Sequence, residues 1–392
     1  MTPGCSQTDG TARYLKQALE VARGGLGWVS PNPLVGCVIV RDGGVIGTGF
    51  HGRYGDIHAE VAALRDAGDA RGATAYVTLE PCTHHGKQPP CCEALIAAGV
   101  KRVVWGMEDP NPVTGGKAQA VLEAAGIVAE NAHDGRCEEF LDYFATACSD
   151  NRPFIHLKLA LSLDGKAACP SGHSQWFSGP EALGYAHYLR LKYDAVMISA
   201  RTAIHDNARL SVRTDALENH LPDHTAKLRQ PVRVILDLRF ETLAMQDQLA
   251  LFEAGGDFRD NMPMAVIAGE AGRMPDPAGY PEGVRLIGLS EKTNTGQLRF
   301  YELASRLWDL NIRSVLVEGG GGLSAELIRQ HAVDKMTMVY TKTIVGADGR
   351  GFTPPLGNER VTHCPRLTPH RAFVLGDDAV LEGYPVWGIT GS

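Results

Sequence analysis

Apolar residues recur at helical spacing near the start of the chain: between Thr11 and Arg23, Tyr14, Leu15, Ala18, Leu19 and Ala22 share one face. The pattern then changes. After S-P-N-P the run L-V-G-C-V-I-V is continuous, as in a strand buried on both faces, and R-D-G-G turns it into a second strand ending near Phe50. Helical spacing returns from His58 to about Ala67. Ala73 to Leu79 and Val100 to Gly106 read as further buried strands, separated by a loop from Glu80 to Pro90 and a helix from Cys91 to about Ala98. A helix from Gly116 to Ala125, a short strand near Val128 and a closing helix from His133 to about Ala147 complete the block. Such alternation predicts an α/β sandwich on a mostly parallel sheet.

N-R-P-F at 151 to 154 reads as a linker, after which a second α/β series opens with the buried run I-H-L-K-L-A-L-S-L. It continues through a helix from Pro180 to Lys192 and the strands A-V-M-I-S, P-V-R-V-I-L-D, M-A-V-I-A, R-L-I-G-L, V-L-V-E and D-K-M-T-M-V-Y. The polar segment from Thr214 to Gln230 and the Pro-rich stretch 274–283 read as surface loops. A chain of 392 residues exceeds what one core usually organises, so two domains are expected, 1–150 and 151–392.

Composition changes this picture little but excludes some functions. A hydrophobic fraction of 44% and a charged fraction of 21% describe an ordinary globular protein, and no apolar run is long enough to span a bilayer. A net charge of −7 without basic-aromatic clusters argues against a nucleic-acid surface. Nine cysteines without framework spacing point to reduced thiols, and the polar N-terminus has no apolar signal region, so a cytoplasmic setting is expected.

The chemistry concentrates between Ile57 and Cys92. His58, Cys82 and Cys91 form a three-ligand zinc set, which leaves the fourth tetrahedral position open, the mark of a catalytic centre. Cys92 adjoins Cys91, but adjacent side chains diverge, and Cys91 is taken as the ligand. In this layout all three ligands sit at or just before helix N-termini, where the dipole favours thiolate. Glu60, two residues after His58, points to another side of the helix and is placed to shuttle a proton near the metal. H-x-E followed by P-C…C is the pattern of the zinc nucleobase deaminases, with Cys-x8-Cys here in place of Cys-x-x-Cys. Asn32, between two prolines, is either turn chemistry or an amide for the substrate.

The combination of H-A-E, E-P-C-T-H-H-G-K-Q-P-P-C and M-E-D-P-N-P resembles the bifunctional pyrimidine deaminase/reductase family of riboflavin biosynthesis. The resemblance covers the whole chain, since the second half carries K-L-A-L-S-L-D-G-K, S-G-H-S-Q-W, S-A-R-T-A-I-H-D-N-A-R-L-S-V-R and V-E-G-G-G-G-L in order. It implies a cytidine-deaminase-like α/β/α zinc domain followed by a dihydrofolate-reductase-like α/β domain. It also implies Zn²⁺ and NADPH as cofactors, a phosphoribosyl pyrimidine as substrate, and a homodimer through the reductase domain. Two consecutive reactions would follow: hydrolytic removal of an amino group, then reduction of the ribosyl group to ribityl.

The same resemblance assigns residues. His84 and Lys87 would meet the phosphoribosyl tail, and Asp109 and Asn111 would contact substrate or cap their turn. Lys158 and Glu318 would assist ring opening and proton transfer. Ser174, Arg190, Leu210, Arg213 and Glu318 would contact the second substrate, the arginines suiting its phosphate. Ala160, Trp176, Thr202, Asp206 and the turn Gly320, Gly321, Gly322, Leu323, Ser324, Ala325 and Glu326 would contact NADPH, with Arg201 a candidate for its 2′-phosphate. Asn207, Ala208 and Leu238 depart from the family pattern, and they motivate the alternative of a deaminase whose second domain has lost reductase activity.

Overall fold

The computed structural model describes residues 8–86, 88–112, 114–174, 177–213, 215–217, 228–253, 255–290, 300–353 and 355–387. These fall into two compact units that divide between Asn151 and Arg152.

The first unit contains α1 (Thr8–Ala22), β1 (Gly36–Arg41), β2 (Gly44–Phe50), α2 (Ala59–Ala67), β3 (Thr74–Val77), α3 (Cys91–Ala97), β4 (Arg102–Trp105), α4 (Ala118–Ala124), β5 (Val128–Asn131), α5 (Gly135–Phe140) and α6 (Asp142–Asp150). Its sheet runs β2-β1-β3-β4-β5. β1 is antiparallel to both neighbours, whereas β3, β4 and β5 are parallel. The sheet is therefore mixed and not mostly parallel. The two-residue turn at Asp42 (φ 52°) and Gly43 (φ 79°) has positive φ at both positions, and so short a link joins only antiparallel strands. The helix expected from His133 to Ala147 is two helices, because Leu141 (ψ 11°) leaves helical geometry between α5 and α6.

β2 seats α2 by having no side chain where they meet. A Cβ at Gly49 would lie 2.2 Å from the Ala63 amide nitrogen, and one at Gly47 would lie 2.5 Å from that of Ala67. The close approach fixes α2, whose start carries two of the expected functional residues. Below it, Ile39, Ala63, Val77, Leu95 and Val103 pack into one core.

The second unit contains β6 (Phe154–Leu161), β7 (Lys166–Ala168), α7 (Pro180–Lys192), β8 (Ala195–Ser199), α8 (Ala200–Asp206), β9 (Val232–Leu236), β10 (Ala265–Glu270), β11 (Val284–Leu289), α9 (Phe300–Asp309), β12 (Ser314–Val317), α10 (Gly321–Arg329), β13 (Lys335–Tyr340), β14 (Arg350–Gly351), β15 (Arg366–Leu375) and β16 (Asp378–Val386). Nine of these strands form a sheet in the order β11-β10-β9-β8-β12-β6-β13-β16-β15. It is parallel from β11 to β13 and antiparallel through the last hairpin. That hairpin escapes the sequence reading because Pro369 interrupts β15. Proline is admitted here since β15 is the edge strand and its ladder slips at this point.

Glu382 of β16 ties this end of the unit together. It is 1% exposed and accepts from Tyr185 OH (2.8 Å), Thr337 Oγ1 (2.7 Å) and Arg371 Nε (3.1 Å), with Lys335 Nζ 3.2 Å away. Burial alone would raise its carboxyl, but the Lys335, His156 and Arg371 charges outweigh that and hold it well below the usual carboxylate range. Replacing Glu382 by Ala strands Lys335, which is buried, and should lower stability by about 3–5 kcal/mol in urea unfolding. Because the folded pKa is depressed, this contribution is complete above the ordinary carboxylate pKa and lost as pH falls below it. The gap between wild type and variant should therefore close in acid.

Candidate active sites

His58 caps α2 with extended backbone (φ −76°, ψ 164°), and Glu60 falls in the helix's first turn. Cys91 opens α3, whereas Cys82 lies on the loop after β3 and reaches a helix N-terminus in space but not along the chain. There the Cys91 amide donates to Cys82 Sγ (3.3 Å) and the Cys92 amide to the Cys82 carbonyl (3.2 Å). His58 Nδ1 lies 3.2 Å from Cys91 Sγ and 3.5 Å from Cys82 Sγ, and the three donor atoms fall within 4.8 Å of one another. A side-chain hydrogen bond from the Cys91 thiol draws Cys82 down to about 4 and raises Cys91. An imidazole nitrogen and two soft sulfurs at this spacing fit zinc, which would take that proton's place. Cys92 instead points its thiol at the Pro81 carbonyl (3.6 Å) within the core, and burial pushes it up to about 12.

Glu60 is 3% exposed beside the cluster. Burial pushes its carboxyl up to about 7, and the charge on Cys82 adds to the effect. A group poised there exchanges protons readily at neutral pH. The cavity it lines, about 410 Å³, is also lined by Asn32, His84, Asp109 and Asn111. Lys87 lies outside the described residues. Asp109 caps its own turn as well, accepting from the Asn111 amide (3.0 Å) and Thr114 Oγ1 (2.5 Å).

Two residues of this site escape the sequence reading. Buried Glu80 accepts from the amides of Asp109 (3.1 Å), Gly116 (2.9 Å) and Ala118 (2.8 Å), and so holds the Asp109 loop. Its position just before Pro81-Cys82 was the available signal. His51 stands with Nδ1 3.0 Å from the Ile57 carbonyl oxygen, Nε2 3.1 Å from Asn32 Nδ2, and its ring edge-on to His58. Burial lowers its pKa and keeps it neutral, so Nδ1 donates and Nε2 accepts from the Asn32 amide, which turns the Asn32 side chain.

In the second unit a cavity of about 460 Å³ opens near the C-terminal ends of β6, β8 and β12, the usual place for ligands on a parallel sheet. Lys158, Ala160, Ser174, Thr202, Asp206, Glu318 and the turn from Gly320 to Gly322 line it. Trp176 lies outside the described residues. Leu323, Ser324 and Ala325 are packed inside, and Glu326 pairs with Arg329; none of the four lines the cavity. A Cβ at Gly321 would stand 2.7 Å from the Gly351 carbonyl oxygen, while one at Gly322 would meet nothing within 4 Å. The turn thus presents bare backbone at the start of α10, which fits a dinucleotide phosphate.

Arg190, Leu210 and Arg213 do not line this cavity. Arg190 gives its fork to Glu318 instead (Nε to Oε1 2.6 Å, Nη2 to Oε2 2.7 Å), with Nη1 on the Ser211 carbonyl (2.9 Å). Arg190 and Arg213 converge on His187, a buried residue the sequence reading overlooks. Burial and then these two charges lower its pKa to about 4. Burial alone would raise Glu318, but the charge and hydrogen bonds of Arg190 hold it below the ordinary carboxylate range. Burial lowers Lys158, and the Glu318 charge partly opposes this. Asn207 accepts from the Ala250 amide (2.7 Å) at the end of α8, Leu238 is 40% exposed, and neither they nor Ala208 line the cavity. The departures from the family pattern therefore leave the cavity intact.

A hydrolytic deaminase centre and a nucleotide-type reductase cavity on one chain define a bifunctional enzyme. Residues 9–107 match the cytidine and deoxycytidylate deaminase zinc-binding region, and residues 153–381 match the RibD C-terminal domain. The riboflavin biosynthesis protein RibD of Escherichia coli is 37% identical over 373 residues, which cover 94% of this chain and 98% of that protein. The Haemophilus influenzae protein of the same name is 36% identical over 95% of this chain and 96% of its own. Among solved structures, Acinetobacter baumannii RibD superposes with a TM-score of 0.79 at 34% identity, over 97% of this chain and 100% of that one. The chain belongs to the RibD family, enzymes of riboflavin biosynthesis with deaminase and reductase activities. No helix among the described residues is long and apolar enough to cross a membrane.

The ligand set is testable by metal analysis. Cys82→Ser and Cys91→Ser should each lose most bound zinc after dialysis, whereas Cys92→Ser should retain one ion per chain. Equal loss in all three would contradict the geometry.

Proposed function

We infer that the chain performs two consecutive steps on one small molecule. In the first unit, water displaces the 2-amino group of 2,5-diamino-6-(5-phosphoribosylamino)pyrimidin-4(3H)-one, releasing ammonia. In the second, NADPH reduces the ribosyl group of that product, giving 5-amino-6-(5-phosphoribitylamino)uracil. The observation that carries the reading is the pairing of buried Glu60 with His58, Cys82 and Cys91 in one unit, and of Lys158 with Glu318 in the other. A solved Thermotoga maritima relative, 32% identical with a TM-score of 0.78 over 96% of this chain, is titled diaminohydroxyphosphoribosylaminopyrimidine deaminase/5-amino-6-(5-phosphoribosylamino)uracil reductase.

Zinc held by His58, Cys82 and Cys91 would supply the Lewis acidity that makes water a nucleophile at neutral pH. Glu60 takes one proton from the attacking water to the ring nitrogen. It then moves the second from the new hydroxyl to the amine, which leaves as ammonia as the carbon–nitrogen bond breaks and the carbonyl forms, and Glu60 is again the carboxylate it began as. Asn32, Asp109 and Asn111 orient the ring, and His84 faces the phosphoribosyl tail.

NADPH would supply hydride to C1′ of the second substrate. The C1′–O4′ bond breaks, O4′ takes a proton from Lys158, and the nitrogen lone pair completes a cationic imine. Burial makes Lys158 a better proton donor than a free lysine. Glu318, kept ionised by Arg190, faces the positive charge until hydride neutralises it. Ser174, which lines the cavity, holds the sugar, with Arg190 acting through Glu318. The same reading places the enzyme in the cytoplasm as a homodimer.

A single reaction with zinc-loaded protein, following ammonia and NADPH together, tests both halves. Glu60→Gln should lower ammonia release by about 10²–10⁴-fold with zinc content unchanged. Glu318→Gln should slow NADPH oxidation and leave ammonia release intact. Loss of ammonia release in Glu318→Gln, or failure of Glu60→Gln to oxidise NADPH when it is supplied with the deaminated product, would contradict the division of labour.

A further inference from the structure

α7 meets its sheet through polar groups at both ends. Lys158 of β6 opposes Thr337 of β13, and Thr337 opposes Glu382 of β16, so the three side chains share one face of the sheet. Asp378, four residues before Glu382 on the same strand, shares that face. α7 closes over it by hydrogen bonds. Tyr185 OH donates to Glu382 (2.8 Å), Arg190 Nε to Glu318 (2.6 Å), and the Tyr193 hydroxyl, just past the helix, lies 2.8 Å from His156 Nδ1. At the other end the Gly179 amide donates to Asp378 Oδ2 (2.8 Å), a residue 199 positions away. Asp378 is 3% exposed and does not line the cavity.

Two consequences reach the site. Gly179 immediately precedes α7, and the segment before it gives Ser171, Gly172, Ser174 and Phe177 to the cavity wall. The bond to Asp378 therefore pins one end of that wall to β16, at a helix N-terminus that favours a carboxylate. The second consequence concerns charge. Burial lowers the pKa of Lys158, the charges of Glu318 and Asp378 oppose this, and that of Arg190 adds to it. Arg190 engages Glu318 through both Nε and Nη2, so that pair is formally neutral. Glu382 faces two cations, Lys335 and Arg371, and has no negative charge to spare. His187 of α7 is uncharged at neutral pH, since burial and then the Arg190 and Arg213 charges lower its pKa to about 4. Glu181 and the Lys342–Asp377 pair are exposed to water. Among the described residues, Asp378 is thus the buried acid on this face that no cation neutralises.

We propose that Asp378 is a positioning residue of the reductase site, whose carboxylate fixes the segment carrying Ser174 and supplies the negative charge that balances the Lys158 ammonium. The assignment rests on the reductase reading above, in which Lys158 gives its proton to O4′. Asp378 acts through Gly179 and Lys158 and touches neither substrate nor cofactor.

The test is NADPH oxidation by the full-length zinc-loaded enzyme across a range of pH, with the deaminated phosphoribosyl product supplied as substrate and NADPH binding followed by fluorescence. Asp378→Asn keeps an acceptor for the Gly179 amide and removes the charge, whereas Asp378→Ala removes both. Without the charge Lys158 loses its proton more easily, so the fall of kcat at high pH should move to lower pH in both variants. In Asp378→Asn the KM for the substrate and the Kd for NADPH should stay within about twofold of wild type, and in Asp378→Ala the KM should rise about tenfold. A wild-type pH profile in Asp378→Asn overturns the charge role, and an unchanged KM in Asp378→Ala overturns the hold on the cavity wall. Loss of NADPH binding in both variants marks a merely structural residue and overturns the whole assignment. Should Asp378→Ala fail to fold, the Asp378→Asn profile decides. The two readings fail differently. A wild-type enzyme that oxidises no NADPH with this substrate contradicts the reductase reading itself, whereas wild-type kinetics in Asp378→Asn contradict only the role of Asp378.

Discussion

A carboxylate taken out of water needs donors or a proton, and much of this structure follows from how each buried acid meets that demand. Glu80 receives three backbone amides, and Asp194 receives Arg259 and the Arg313 amide. Glu318 receives the fork of Arg190, and Glu382 receives donors from α7, β13 and β15. Each of these acids fastens elements that the apolar core alone would leave free to slide. Glu60 is provided for differently. Its neighbours are the sulfurs of the ligand cluster, one of them negative, and burial raises its carboxyl to about 7. Glu318 and Glu382 are held charged by their cations, whereas Glu60 is set to change state.

The contrast extends to the arginines of the second unit. Arg190 is largely buried and gives its fork to Glu318, and Arg229, 1% exposed, gives Nη2 and Nη1 to the carbonyls of Tyr193 and Asp194. Leaving such a fork empty in the interior would cost several kcal/mol. Arg201, at the cavity, is exposed and keeps its charged head in water at little cost. Burial therefore separates arginines that fasten the interior of the unit from one left exposed at the cavity.

The zinc cluster was legible because its chemistry leaves residue types at fixed spacing: H-x-E, then P-C, then a second cysteine after a strand. The parallel core of the second unit was legible for a similar reason, since strands buried on both faces read as unbroken apolar runs. What escaped has no such signature. The β1–β2 turn was recognised, yet its consequence for the whole sheet depends on which side of β1 receives β3. Glu80, His51 and His187 act through contacts with residues distant in sequence. The Arg190 guanidinium could be assigned by composition to any anion, and only the fold shows that Glu318 fills it.

The two chemistries make opposite demands on their surroundings, and each site answers with a different local field. Deamination returns its acid–base group to the starting state within each turnover, so that group works best when both protonation states are close in energy. Burial beside a thiolate gives Glu60 that balance. Reduction creates a transient cation and needs a charge that does not respond to it. Glu318 provides one because Arg190, Nε and Nη2 both engaged, makes its protonation unfavourable although burial alone would favour it. Exchanging the two environments would disable both sites even with every side chain retained. A proton shuttle gripped by an arginine could not release its charge, and a carboxyl poised near neutrality would be neutralised for part of the time when the imine needs it.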